Sequence, residues 1–235
     1  MEGWQVNKNR LDLAKTLMDE ANKRNPKYPP LLNAYGLYWM HKGSLNQALQ
    51  SFEGAVAGDP KFFEAHINAG LLTLGARKYD VAKDHFSKAL EVAPKNYDAV
   101  IGLGIAQRGL GDLDGAEKSY KQAMSLDGSK GDAYYNLGVL YKDFKATKAE
   151  MKASIPIYGQ AKDYFNQFLG KSGDAADKAE AKDNIKDCDK VVKSIETFLR
   201  NQANNPPPPA APAPTQPAKA PDAKAPAPDP KAGKK

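Results

Sequence analysis

Histidine and cysteine most often carry catalysis or bind metals, and this chain of 235 residues has few of either. Its three histidines, His41, His66 and His85, form no HExxH pattern, and the single Cys188 cannot supply a cysteine-based zinc site. The histidines are therefore interpreted as surface or helix-packing residues. Cys188 lies on an apolar helical stripe, which favours a buried and unreactive thiol.

A second set of candidates is the group of glycines between residues 102 and 111. Their spacing matches neither GxGxxG nor GxxxxGK[ST], the patterns that bind phosphate through backbone N–H groups. Asp112 and Asp114, which follow, lack the other ligands of a calcium loop. These residues predict no enzyme, no metal site and no cofactor.

Charge and hydropathy exclude further classes. The formal net charge is +6, but five lysines against two aspartates place +3 of it in the segment 204–235. The rest of the chain therefore gives no strong signal for nucleic acid binding. No run approaches the roughly 18 apolar residues of a membrane span, and the opening MEGWQVNKNR has no apolar signal-peptide core. We expect a cytosolic protein or one whose export segment has been removed.

The elements that hold these residues follow from a repeat with a step of 34 residues. Each unit has a glycine, then an alanine, an aromatic residue, a second alanine and a proline at constant spacing. The sets are Gly36, Ala48, Phe52, Ala55, Pro60; Gly70, Ala82, Phe86, Ala89, Pro94; and Gly104, Ala116, Tyr120, Ala123 with Gly128 replacing proline. Small residues at a fixed phase allow helices to approach closely, and the proline ends the second helix.

This spacing resembles the tetratricopeptide repeat (TPR) family. The resemblance implies an all-α solenoid, a right-handed superhelix of helix-turn-helix units that acts as a non-catalytic scaffold for protein–protein interactions. The predicted units are 29–62, 63–96, 97–130 and 131–173. The fourth unit is identified by Leu137, Gly138 and Tyr141.

The fourth unit carries an insertion. Its second-helix residues Ala161, Phe165 and Phe168 come 11 residues late. Ser154 followed by Pro156 predicts a fresh helix start, with a hydroxyl cap and a proline in the first turn. Either a long loop or an overlong first helix must then fill the space between the two helices.

Both ends of the array depart from a complete unit. Ala14, Met18, Ala21 and Pro26 continue the repeat backwards, so residues 1–28 are predicted to be a half repeat with a helix over 9–24. We expect a chain cut from a longer protein, or alternatively a lone capping helix.

The carboxyl-terminal side ends in a capping helix and a tail. An apolar stripe at steps of three or four residues predicts an amphipathic helix within 174–203, which seals the open end. The stripe consists of Ile185, Cys188, Val192, Ile195 and Leu199. Eleven of the 17 prolines lie between Pro206 and Pro230, so residues 204–235 are predicted to be disordered and partly extended as polyproline II.

In a TPR stack the first helices line the concave face, at positions 5, 9 and 12 of each unit. The predicted groove, with two neighbouring asparagines, is Asn33, Leu37, Met40, Ile67, Asn68, Leu71, Leu74, Ile101, Ile105, Arg108, Tyr135, Asn136 and Val139, with Lys142 at its end. It is apolar over most of three units and cationic beyond them. An apolar strip of this length predicts binding of an amphipathic helix or an apolar extended segment of another protein. Alternatively, residues 142–156 or 175–200 cover the groove in cis.

Chaperone-binding members of the family hold a terminal carboxylate with a clamp of lysine, asparagine and arginine. Asn68 stands at the central asparagine position and Asn136 repeats it two units later, where each carboxamide can hold a peptide backbone. The flanking clamp positions, which include Asn33, Leu37 and Asp98, contain no cation. The carboxylate clamp is therefore absent, and binding of chaperone tails is disfavoured.

The segments AYYNLGVLYKDFKATKAE and DKAEAKDNIKDCDKVVKSIE, with the proline-rich tail, resemble TPR lipoproteins of the myxobacterial adventurous gliding-motility machinery. The resemblance implies a periplasmic scaffold anchored to the outer membrane by an N-terminal lipid and bound to other envelope proteins. The lipobox cysteine is missing, and Cys188 cannot replace it, which fits a chain trimmed at its N-terminus. The alternatives are a soluble cytosolic adaptor for peptide or secretion clients, and a tail that acts as a peptidoglycan spacer or weak polyanion contact.

Overall fold

A computed structural model describes residues 2–171 and 174–204, with side chains from Arg10 onward. The predicted tail from residue 205 lies outside the described residues. The helices are α1 Glu2–Arg24, α2 Pro29–His41, α3 Leu45–Gly58, α4 Phe63–Gly75, α5 Tyr79–Val92, α6 Tyr97–Gly109, α7 Leu113–Leu126, α8 Asp132–Val139, a π-helix Leu140–Lys145, α9 Ala146–Lys148, α10 Met151–Leu169 and α11 Ala175–Asn204. Successive helices pack side by side, which confirms the predicted all-α TPR solenoid.

The three regular pairs are α2 with α3, α4 with α5, and α6 with α7. Their first helices have 13 residues and their second helices have 14. The tight turn inside each pair contains one residue in the left-handed region, namely Gly43, Arg77 or Gly111, with φ of 73°, 58° and 81°. Glycine reaches this conformation without the steric penalty of a Cβ atom. Arg77 is the exception at the same repeat position.

The repeated glycines face the repeated aromatic rings. A Cβ atom on Gly36 would lie 2.3 Å from the ring of Phe52, and one on Gly104 would lie 2.5 Å from the ring of Tyr120. Both rings are fully buried. The first helix of each pair therefore needs glycine at this position, because the ring of the second helix fills the space of a side chain.

The insertion lengthens the first helix of the fourth pair. The chain leaves α8 as a π-helix and continues as α9, so the overlong-helix alternative holds. The predicted helix start at Ser154 and Pro156 is wrong, because α10 begins at Met151. The Ser154 hydroxyl donates to the Met151 carbonyl at 2.7 Å instead of capping the helix. Pro156 is tolerated inside the helix because the carbonyl it leaves unpaired belongs to the exposed Lys152 near the helix start.

Helix α1 is longer than predicted, since it begins at Glu2 rather than near residue 9. Its last 14 residues are in phase with the second helices of the regular pairs. Leu13 and Leu17 on this stretch are 60% and 63% exposed. Ala14 is also exposed, whereas its repeat equivalent Ala82 is fully buried. Among the described residues, no first helix covers this apolar face of α1.

Helix α11 packs along α10 and buries Ala181 and Cys188. It stands where the first helix of a further unit would stand. The Lys142 ammonium donates to Asn184 of α11 at 2.7 Å, as the Arg108 guanidinium donates to Asn136 of α8 at 3.2 Å. The remaining faces of α11 are largely charged and exposed, as a terminal capping helix requires. Within the described part of the chain, none of the helices is both long and apolar enough for a bilayer-spanning segment.

Candidate interaction groove

The predicted groove lies along α2, α4, α6 and the first half of the lengthened helix. Its exposed apolar centre is formed by Leu37 and Leu71, which occupy the same repeat position and are 47% and 50% exposed. Met40, Ile67 and Leu74 lie half-buried in the same helices and pack against the buried clusters beneath them. The cores of the first two pairs thus hold this apolar surface in place.

The apolar strip is less exposed in the third and fourth units than predicted. Ile101, Ile105, Tyr135 and Val139 are half-buried and pack against the core cluster around Phe165. These side chains therefore contribute to the core as well as to the groove floor. The surface available to another molecule is therefore concentrated on α2 and α4.

The two predicted asparagines are already engaged within the chain. Asn68 donates from its amide nitrogen to the side-chain oxygen of Asn33 at 2.9 Å, and Asn136 donates to the Asp132 carbonyl at 2.9 Å. A carboxamide has two donor hydrogens and an acceptor oxygen. Each of these bonds therefore uses only part of the hydrogen-bonding capacity of the amides.

Helix α11 reaches the fourth-unit end of the groove. The Tyr135 hydroxyl donates to the Glu180 carboxylate at 2.5 Å, and Lys142 is bound to Asn184. Burial and the hydrogen bond to Glu180 both raise the pKa of Tyr135 above its ordinary value. These contacts fix the end of the groove. Two segments were predicted as possible covers of the groove. Residues 142–156 begin as the continuation of the first helix of the fourth pair. Residues 175–200 lie in α11, which contacts Tyr135 and Lys142.

Arg108 lies where the apolar part of the groove ends. Its guanidinium donates to the side-chain oxygen of Asn136 at 3.2 Å and lies 5.6 Å from the centre of the Phe144 ring. Both partners are neutral. The contact with Phe144 was missed from the sequence, because it depends on the π-helix that turns this inserted residue toward α6.

A buried histidine pair was also missed. The Nδ1 atoms of His66 and His85 lie 3.2 Å apart, and Nε2 of His66 lies 3.0 Å from the Pro60 carbonyl. We assign the Nε2 proton of His66 to the Pro60 carbonyl, which leaves its Nδ1 to accept from Nδ1–H of His85. Burial first, and the neighbouring His66 second, lower the pKa of His85 to about 4. No described group of three or more histidine, cysteine, aspartate or glutamate side chains is arranged to hold a metal ion.

Known proteins support the repeat and the fold. Residues 67–129 match the family model described as Tetratricopeptide repeat. No curated protein matches the sequence significantly.

Among solved structures, MamA is 22% identical, with a TM-score of 0.59 over 71% of this chain and 91% of that one. PilF of Pseudomonas aeruginosa is 14% identical, with a TM-score of 0.60 over 85% and 87%. A thermophilic TPR protein of Thermus thermophilus is 21% identical, with a TM-score of 0.56 over 77% and 94%. At these identities the likeness concerns the fold alone: the chain has the fold of a tetratricopeptide-repeat solenoid, and its residues 67–129 match the repeat itself.

Proposed function

We propose that this protein is a non-catalytic scaffold whose groove binds an amphipathic helix or an apolar extended segment of a partner protein. The observation that carries the proposal is the pair Leu37 and Leu71, half-exposed side by side on adjacent first helices. Aliphatic side chains held on a rigid concave surface are typical of sites that receive another polypeptide.

The energetics indicate what else the partner must contact. Covering two leucines that are already half-buried contributes roughly 2 kcal/mol in total, because complete burial of one leucine contributes about 1.5–3 kcal/mol. Micromolar affinity needs about 8 kcal/mol. The partner must therefore also cover Met40, Ile67 and Leu74 and bond to the amides of Asn33 and Asn68. A segment that spans at least two units satisfies this requirement.

The test is the double variant Leu37→Glu/Leu71→Glu. Two carboxylates on the apolar surface would require desolvation when the partner binds, so capture of partner proteins after crosslinking in the native cell is expected to be lost. Both residues are substantially exposed, so helicity by circular dichroism and the unfolding midpoint are expected to stay near wild type.

A matched control is Leu45→Glu/Val92→Glu. These side chains are 52% and 43% exposed but belong to second helices, away from the groove. The control is expected to capture the same partners as the wild type. Equal capture by the groove variant and the control would refute the groove as the binding surface.

We further propose that the partners belong to an envelope motility complex and that the protein acts at the periplasmic face of the outer membrane as a lipoprotein. The support is the resemblance of residues 133–150 and 177–196 and of the tail to gliding-motility lipoproteins. The native gene start provides the test, since a signal peptide followed by a lipobox cysteine is expected. A gene start without them, together with recovery in the cytosolic fraction, would favour a cytosolic adaptor instead.

A further inference from the structure

We propose that Arg108 binds a carboxylate side chain of the segment that occupies the groove, so that the partner is recognised by apolar residues followed by an aspartate or glutamate. This inference rests on the proposed function and names the chemistry of its ligand. It concerns a position outside the carboxylate clamp, whose flanking positions carry no cation in this chain.

The first step is the change of character along one row of the groove. Position 12 of successive units is Met40, Leu74, Arg108 and Lys142. The row is thus apolar beside the exposed Leu37 and Leu71 and becomes cationic one helix further on. A segment lying across α2, α4 and α6 would meet apolar side chains first and a positive charge next.

The second step is that the two cations of this row differ in their surroundings. Lys142 is hydrogen-bonded to Asn184 and lies 3.5 Å from the Asp143 carboxylate, so its charge is partly balanced within the chain. Other ion pairs of this region are made by Lys130 and Lys145. Among the described residues Arg108 makes no ion pair, and its contacts are the amide of Asn136 and the ring of Phe144.

The third step concerns geometry. Asn136 accepts one guanidinium hydrogen bond, and the ring of Phe144 holds the side chain from another direction, so the half-buried Arg108 is oriented before a ligand arrives. The guanidinium has five N–H donors in a planar fork that matches both oxygens of a carboxylate. Pre-orientation lowers the entropy lost on binding. One guanidinium and one amide fit a single carboxylate better than a more highly charged phosphate.

The fourth step gives the spacing in the ligand. Neighbouring helices pack about 8–10 Å apart. From Leu71 to Arg108 the path crosses one such distance and climbs about one helical turn, roughly 5 Å. The apolar anchor and the carboxylate of the partner are thus on the order of 10 Å apart. Two turns of a bound helix or three residues of an extended strand cover this distance.

The experiment uses a displayed library of random 15-residue peptides, selected against the full chain and against two variants. Arg108→Gln removes the positive charge, and Lys118→Gln makes the same charge change at an exposed site on α7 outside the groove. Affinities of selected peptides are measured by fluorescence polarisation. Each peptide is also synthesised with its acidic residue changed to the corresponding amide.

We expect peptides selected by the wild type and by Lys118→Gln to share an acidic residue at constant spacing from an apolar one. The amide peptides should bind the wild type at least about 10-fold more weakly, because a hydrogen bond between charged groups is stronger than one to a neutral amide. On Arg108→Gln, the acidic and amide peptides should bind equally.

Selected peptides without a shared acidic residue would overturn the inference, as would an acid-to-amide loss that persists on Arg108→Gln. The variant Leu71→Glu separates this failure from that of the proposed function. If Leu71→Glu abolishes binding while Arg108→Gln has no effect, the groove stands and the carboxylate assignment is wrong. If neither variant alters binding, or no peptide is selected, both fail.

Discussion

At the scale of single residues, the close packing between glycines and aromatic rings sets the tolerance of the fold to mutation. Gly104 in α6 faces the ring of Tyr120, whereas Gly159 in α10 has open space where a Cβ would lie. The same substitution should therefore have opposite effects at the two glycines.

Gly104→Ala would place a methyl group 2.5 Å from a fully buried ring. The ring has no space to move into, so a loss of about 1–3 kcal/mol in the free energy of unfolding is expected. Gly159→Ala should instead stabilise the protein by about 0.5–1 kcal/mol, because alanine is the better helix former. Urea denaturation of both variants measures the difference, and equal effects would contradict the packing account.

The buried histidine pair predicts a pH dependence of stability. His85 has a pKa of about 4 in the folded protein, well below its ordinary value of 6.5, and it is influenced by His66, Lys88 and Asp84. In the unfolded chain this imidazole binds a proton at higher pH than in the folded one. As pH falls from about 6.5 to about 4, protonation of this imidazole therefore stabilises the unfolded state. The free energy of unfolding falls by about 3 kcal/mol in total over this range.

The variant His85→Ser isolates this effect. Serine is a suitable replacement, because Ser51 and Ser119 stand at the position of His85 in the neighbouring units. Urea unfolding at a series of pH values between 7 and 4 should show a shallower fall in stability for the variant than for the wild type. Parallel curves would show that His85 does not titrate between the two states.

At the scale of elements, the carboxylate of Glu117 in α7 holds the lengthened first helix of the fourth pair through several hydrogen bonds. Glu117 accepts hydrogen bonds from Lys121, Lys145 and the Tyr141 hydroxyl, the last at 2.8 Å. Burial raises the pKa of Glu117, but these hydrogen bonds outweigh it and the pKa falls to about 2. Two of the three partners belong to the π-helix, so Glu117 connects the inserted turn to the regular repeats.

Glu117→Gln keeps the size of the side chain and removes its charge. Because the group is largely buried and hydrogen-bonded to two lysines, we expect a loss of about 1–3 kcal/mol in the free energy of unfolding. The exposed Glu91→Gln on α5 is the control and should change stability by less than about 0.5 kcal/mol. Hydrogen exchange should also increase in the segment 140–148 of the Glu117 variant only.

Sequence periodicity predicted the regular helices well and the insertion only in outline. The constant phase of Gly70, Ala82 and Phe86 reflects contacts within one pair, so it can be recognised along the chain. The start of α10 could not be predicted, because Ser154 and Pro156 are ordinary helix-start residues in isolation. What overrides them is the packing of Ala161 and Phe165 in the core, which keeps the helix intact through the proline.

The sequence predicted which residues line the groove but not how exposed each of them is. The residues at positions 5, 9 and 12 lie on the first helices as expected. The difference in exposure between Leu71 and Ile105 depends on contacts between units, because Ile105 packs against a buried cluster that includes residues of the fourth pair. Such a difference is a property of the superhelix and leaves no signal in a repeat pattern. The contact of Arg108 with Phe144 likewise requires the inserted π-helix.

At the scale of the whole molecule, the uncovered apolar face of α1 should contribute little to stability. Leu13→Gln/Leu17→Gln changes side chains that are already 60% and 63% exposed, so the free energy of unfolding should change by less than about 0.5 kcal/mol for each. The fully buried Leu137→Gln should cost about 3 kcal/mol or more. A large loss in the double variant would show that another part of the chain covers this face.

The two ends of the solenoid differ in how readily a further helix could be added by design. A designed first helix added ahead of residue 11 could pack against the exposed leucines and alanines of α1, which already have the phase of a second helix. This packing would raise the melting temperature. An added second helix after α11 would meet Lys182, Lys186 and Asp189, and these would have to be replaced by small apolar residues first. Modular growth of this protein is therefore open in one direction only.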